Sequence, residues 1–199
     1  MLEQLTLDKL RLITPEKIKG HLRTINEHKI LVMKHCFKVG LYWQGLTHDL
    51  SKYMPSELLM GFMYWNDGKA SPNNKEREDK SYSYAWMHHK GRNRHHFEYW
   101  NDYSLQKGPG DGPIQYVQMP RKYVVEMLMD RISASKNYNK GTYDQHHPLA
   151  YFEKGRAKKL MHPQTQKELR GMLKILDQKG EEELFRFVRD YYLKGYPIR

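Results

Sequence analysis

Apolar residues recur at helical spacing through most of this chain, and proline or capping residues mark where each run begins. Thr14-Pro15-Glu16-Lys17 is a helix start, with a hydroxyl to cap the first turn and proline at the first helical position. From it Ile18, Leu22, Ile25, Val32, His35, Val39 and Tyr42 follow one stripe for several turns. A short helical piece after Gly45 carries His48 and Asp49, and Pro55-Ser56-Glu57 opens another helix running to about Trp65. Residues 66–80 change character: Gly68, Pro72 and Asn73-Asn74 sit among charges, which predicts a surface loop or lid. Helical spacing resumes at Tyr84 and is interrupted again by the Gly108–Pro113 loop.

Pro120 then opens a strongly apolar helix, Tyr123 to Asp130, and Pro148 and Pro163 begin further helices, the last amphipathic from Thr165 to Leu193. Ile114–Val117 is an edge strand at most, so the expected fold class is all-α. No repeat or low-complexity tract divides the 199 residues. They suit one domain, a core over about 15–137 with C-terminal helices over 148–195 packing on it.

Charge and cysteine content narrow the setting. The net charge of +11 favours anionic partners, a phosphorylated small molecule first, nucleic acid being possible but not favoured in the absence of a separate binding module. The single cysteine, Cys36, forms no internal disulfide, and there is no long apolar run, which predicts a cytoplasmic protein without a membrane segment. Of the two densest basic groups, Lys154–Lys159 reads as a solvated helix face, whereas Lys90–Arg94 lies inside the histidine-rich segment.

That segment changes the picture most. His88, His89, His95 and His96 fall within nine positions, His48 and Asp49 are adjacent, His35 lies on the buried stripe upstream, and Asp130 is an expensive residue to bury in an apolar helix unless something pairs with it. Together they predict a metal site spread over several helices. Imidazole and carboxylate donors without thiolate suit one or two divalent ions (Mn, Fe, Zn, Mg, Ni or Co) and an open, catalytic site. Adjacent helical side chains diverge by about 100°, so His48 and Asp49 reach a common site only at a helix end or around two ions. His89 with His95 or His96 are the candidate second ligands, and Arg92 and Arg94 could meet phosphate oxygens. Asn93 could orient a ligand or the substrate. His88 and one of the second pair are expected to bond acids such as Glu98. Glu126, one turn before Asp130, could accept from a ligand imidazole. His21 and His28 read as ordinary, partly exposed histidines.

His35, His48-Asp49 and Asp130 resemble the H…HD…D signature of the HD superfamily of metal-dependent phosphohydrolases, which are all-helical. His48-Asp49-Leu50-Ser51-Lys52 is similar to the HDxxK variant of the cyclic-dinucleotide branch, and the resemblance implies that Lys52 contacts substrate phosphate. No Gly-Tyr-Pro follows the histidines, so that branch's substrate does not carry over. HDLSK, the stretch from His88 to Trp100 and Met119-Pro120 through Asp130 look more closely like a small HD-like family of bacteria and their phages, over roughly residues 30–135. The resemblance implies an HD-like helical bundle around a mono- or binuclear site. The leading expectation is a phosphohydrolase acting on a nucleotide or other small phosphate ester, with Asp49 and Lys52 in catalytic roles. An HD-fold di-iron oxygenase and a non-catalytic nucleotide or nucleic-acid binder are the alternatives.

Overall fold

The computed structural model describes residues 10–105, 112–155 and 159–198. Among these the architecture is all-α, with helices α1 (Pro15–Lys38), α2 (Tyr42–Thr47), α3 (Pro55–Tyr64), α4 (Pro72–Lys80), α5 (Tyr84–Arg92), α6 (Arg121–Tyr138), α7 (His147–Lys154) and α8 (Pro163–Phe187). Short 3-10 turns at Leu50–Tyr53 and Phe97–Trp100 follow α2 and α5. The only strands among the described residues are β1 (Asn101–Tyr103) and β2 (Ile114–Tyr116), an antiparallel pair in register Asn101↔Tyr116 and Tyr103↔Ile114. The apolar Ile114 run is thus one arm of a small ribbon.

The helix starts follow the chemistry of their first residues. Thr14 Oγ1 accepts from Lys17 N at 3.3 Å, and Pro15, Pro55, Pro72, Pro148 and Pro163 occupy first-turn positions where a missing N–H costs nothing. α8 breaks at Gly180, where φ is 82°, and resumes before a π-helical turn at Val188–Tyr192.

One hydrophobic cluster joins α1, α6, α7 and α8 through Val32, Val124, Leu128, Phe152, Leu169 and Leu173. Burying each such side chain contributes roughly 1.5–3 kcal/mol, which makes this cluster the main source of stability. The polar exceptions inside it are paired: Tyr192 Oη donates to Glu168 Oε2 at 2.6 Å, and Thr165 Oγ1 accepts from Met119 N at 3.0 Å. Cys36 is fully buried there and packs as a small hydrophobe; burial pushes its thiol pKa up. A smaller cluster of Met60, Met63 and Ala85 joins α3 to α5.

Residues 66–80 are not the loop their polarity predicts, because α4 occupies Pro72–Lys80. Its one buried side chain explains why. Glu76 accepts from Ser83 Oγ at 2.7 Å and from Ala85 N at 3.3 Å, tying α4 to the start of α5. Of the Gly108–Pro113 loop, residues 108–111 lie outside the described residues, as do 156–158 of the second basic group. No helix among the described residues is long and apolar enough to cross a membrane.

Candidate metal centre

α2 ends at Thr47; His48 is extended (φ −50°, ψ 126°) and Asp49 is left-handed (φ 54°, ψ 27°). This break in the helix aims two adjacent side chains at one place, the helix-end solution that their adjacency requires. Asp is among the few residues that visit the left-handed region cheaply. Lys29 of α1 fixes the turn from below, its Nζ donating to Leu46 O at 2.9 Å and His48 O at 2.7 Å.

Three sets of side chains bring potential ligand atoms within 4.8 Å of one another: Asp49 with His89, His95 and His96; His28 with His48, Asp49 and Asp130; and His48 with His95 and Glu126. Asp49 belongs to the first two and stands between them. Its Oδ1 lies 3.3 Å from His89 Nε2 and 3.4 Å from His95 Nε2, while Oδ2 lies 3.4 Å from His48 Nε2 and 2.7 Å from Lys52 Nζ. Asp130 Oδ1 is 2.9 Å from His28 Nε2 and 3.8 Å from His48 Nε2.

The third set supports the other two. Glu126 Oε1 accepts from His48 Nδ1 at 3.0 Å and from His95 Nδ1 at 3.1 Å, and Glu57 Oε2 accepts from His89 Nδ1 at 2.7 Å. A carboxylate only accepts, so each of these rings carries its proton on Nδ1, and in the neutral ring Nε2 is left with a lone pair. All three Nε2 atoms face Asp49. Asn93 caps α5 and braces this wall, its Nδ2 donating to Ser51 Oγ at 2.7 Å and His89 O at 2.8 Å.

A divalent ion fits these residues because of what they leave unsatisfied. His48 Nε2, His95 Nε2, His96 Nε2 and Asp49 Oδ1 are buried and have no hydrogen-bond partner. Buried polar atoms are rarely left so, and these four, all potential ligand atoms, belong to the two sets that share Asp49 and match the needs of a cation. Electrostatics agree. Burial alone would raise the Asp49 carboxyl, yet His48, Lys52 and His89 hold it well below the usual carboxylate range. Burial would likewise raise Asp130, but His28 holds it well below that range. His96 is pushed far down by burial and by His95 and His89, so its ring is neutral. His89 goes the other way: despite burial, Asp49 and Glu57 raise it to about 9 in the metal-free cluster.

The structure brings together His48, Asp49, His89, His95, His96 and Asp130 of the predicted ligands, and leaves out His35. His35 is buried two turns further along α1, where its Nδ1 is 2.9 Å from Ser133 Oγ and its ring packs on Phe185. His28 takes the place expected for His35 and is buried, not partly exposed. Seven residues separate the two on one helix face, so periodicity does not choose between them; the Lys29 anchor sets the His-Asp turn at the level of His28. Glu126 accepts from the imidazoles of His48 and His95, the role its spacing made available. His88 pairs with Glu57 at 2.5 Å, where Glu98 was the expected acid. Glu57 is the support that the sequence reading missed, its only signal being its place in the first turn of α3.

A cavity of about 360 Å³ opens from the cluster, lined by Lys52, Asn73, Arg77, Trp86, Tyr138 and Tyr151 among others. Arg92, Arg94 and Asn93 do not line it. Arg92 and Arg94 are exposed on the far side of the buried His89–Asn93 face, Arg94 reaching Tyr123 Oη at 3.4 Å. Arg77 of α4 is the arginine the cavity has instead. On the same wall a close approach fixes His21: a Cβ on Gly61 would lie 2.1 Å from its Nε2.

No curated protein and no solved structure matches the chain. One family model does, over residues 17–175, which include α1 from Lys17 onward, α2 to α7 and every residue of the cluster. The chain belongs to that family, described as a family of unknown function (DUF5662).

Proposed function

We propose that the protein is a metal-dependent phosphohydrolase acting on a nucleotide or other small phosphate ester. The observation that carries this reading is the shared Asp49: one buried carboxylate between two sets of imidazole and carboxylate donors, with the Nε2 atoms of His48, His95 and His96 unpartnered around it. His89, His95 and His96 would hold one ion, and His28, His48 and Asp130 the other, with Asp49 between them. The H…HD…D resemblance supports the same reading once His28 stands as its first histidine. Ions so placed would supply Lewis-acid polarisation of phosphate oxygens and a water of lowered pKa.

The chain's own groups do the rest. Asp49 is held ionised, so it is ready to ligate without first losing a proton. Glu126 and Glu57 keep the Nε2 lone pairs of three rings aimed inward. Lys52 is kept protonated beside Asp49, and its partly exposed side chain on the cavity wall would neutralise a phosphate oxygen as the bond to the leaving oxygen lengthens. The cavity lies at the small end of ligand pockets, which run from about 300 to 1,000 Å³, favouring a mononucleotide-sized ester over a polymer.

Protein reconstituted with Mn²⁺ is expected to release product from a panel of mono-, di-, tri- and cyclic nucleotides, and Asp49→Ala to abolish release. The same shared-carboxylate donor set also suits two irons, so silence across the panel with metal bound would move the reading to oxygen-dependent chemistry, tested with Fe(II) and O₂. Silence in both, with nucleotide still bound, would mark a non-catalytic binder.

A further inference from the structure

Among the described residues the cavity holds two side-chain cations of the Lys and Arg type, and they are placed differently. Lys52 is matched by Asp49 at 2.7 Å. The other carboxylates on the wall are also engaged: Glu57 with His88 and His89, and Asp130 with His28. Arg77 faces no carboxylate among the described residues. Its partners are neutral, a 2.9 Å bond from Nη1 to Asn74 Oδ1 and the face of Trp86, 5.5 Å from the guanidinium to the ring centroid. Most of its N–H donors remain unspent.

Trp86 sets where this guanidinium stands. The indole packs against His96 at 4.7 Å and His89 at 5.5 Å between ring centroids, so Arg77 is one ring removed from the ligand cluster and opens into the same cavity. An arginine laid on an aromatic face keeps its planar fork oriented, and a fork of that kind matches a phosphate. Asn73, one turn earlier on the same face of α4, also lines the cavity.

We infer that Arg77 forms a second anion subsite, one indole away from the metal centre, and that the cavity takes a phosphate ester bearing a second phosphoryl group. The inference rests on the reading that a first phosphate sits at Lys52 and the cluster. Lys52 and the ligand residues hold that phosphate; Arg77 holds the second, and the faces of Tyr138, Tyr151 and Trp86 remain for the organic part. A nucleoside diphosphate is the simplest compound with this arrangement.

Calorimetric titration of the Mn²⁺-loaded protein with the α,β-methylene analogue of adenosine diphosphate and with the phosphonate analogue of adenosine monophosphate tests it. The wild-type protein is expected to prefer the diphosphate analogue. Arg77→Ala should cut that preference about ten- to hundredfold, the worth of a charge-assisted hydrogen bond. Arg77→Lys should restore part of it, and it carries the test if the alanine variant melts early. Lys122→Ala, which removes an exposed cation outside the cavity, should keep the full preference. Equal affinity for the two analogues, a preference indifferent to Arg77, or binding of neither would overturn the subsite. Phosphate release from the hydrolysable nucleotides is measured alongside. An Arg77-dependent preference without turnover would sink the hydrolase and keep the subsite, whereas turnover with an Arg77-independent preference would sink the subsite alone.

Discussion

Helices α1 and α6 bury two polar clusters side by side, and only one of them is closed. At the level of His35, Nδ1 meets Ser133 Oγ at 2.9 Å, Ser133 donates on to Met129 O at 2.7 Å, Lys136 pairs with Glu181 at 2.5 Å, and Tyr143 Oη donates to Glu181 at 3.2 Å. None of these side-chain atoms is among the buried groups left without a partner. Two turns away, at the level of His28, four potential ligand atoms are left over. Both clusters combine an α1 histidine with a carboxylate, Glu181 of α8 in the first and Asp130 of α6 in the second, so composition does not separate them. The count of unspent lone pairs does: a network that satisfies itself is a strut, and one that converges on unsatisfied Nε2 and Oδ atoms is built for something else.

The comparison breaks most severely if Asp49→Asn still binds metal. Removing the charge shared by both donor sets is expected to take bound metal, counted by elemental analysis after dialysis against Mn²⁺, from two ions per chain to none. Glu126→Gln should act more mildly. It leaves every ligand in place but no longer fixes the Nδ1 proton on His48 and His95 together, and loss of such an outer partner typically costs about ten- to a hundredfold in metal affinity. An unchanged affinity would remove Glu126 from its supporting role.

Acidity separates the two clusters next. His89 of the metal-free protein titrates at about 9, above its ordinary 6.5, so the charged ring contributes stability that is fully present below 6.5 and lost as pH rises through 9. On the proposed reading an ion at His89 would require the neutral ring, so apparent Mn²⁺ affinity should climb by about tenfold per pH unit toward 9 for one displaced proton. A flat affinity between pH 7 and 9 would contradict this. His35, pushed down to about 4 by burial and by Lys136, stays neutral across that window; its contribution to stability falls only as pH drops from 6.5 toward 4. The smallest effect on metal belongs to His35→Ala. It should cost roughly 1–3 kcal/mol of stability, read by denaturant melts, and leave metal content unchanged; loss of metal would erase the distinction between strut and site.

Much of this was legible in the sequence. Proline starts and apolar stripes located the major helices, and clustered imidazoles with the His-Asp pair and Asp130 pointed to a buried cluster of donors that could hold a metal. Two kinds of information were not. Periodicity assigns residues to a face but not to a level along it, which is why His28 and His35 could not be told apart until the Lys29 bonds to the α2 end fixed the height of the turn. Supporting acids are equally silent: Glu57 looks like any first-turn glutamate until α5 lays His88 and His89 against it. The arginine went astray for a related reason. Arg92 and Arg94 are near the histidines in sequence, but the turn that buries His89 and Asn93 turns them outward, and the cavity is completed by α4, a segment whose polarity reads as loop.

The left-handed backbone of Asp49 also limits what selection or engineering can place there. Glutamate is the obvious chemical substitute for an aspartate shared by two donor sets, but it would meet a steric penalty at φ 54° and carry its carboxylate one methylene further from the turn. Asparagine and glycine fit the backbone yet lack the charge. The conformation and the chemistry therefore admit the same single residue for different reasons, and a library randomised at this codon should return aspartate alone among metal-retaining clones.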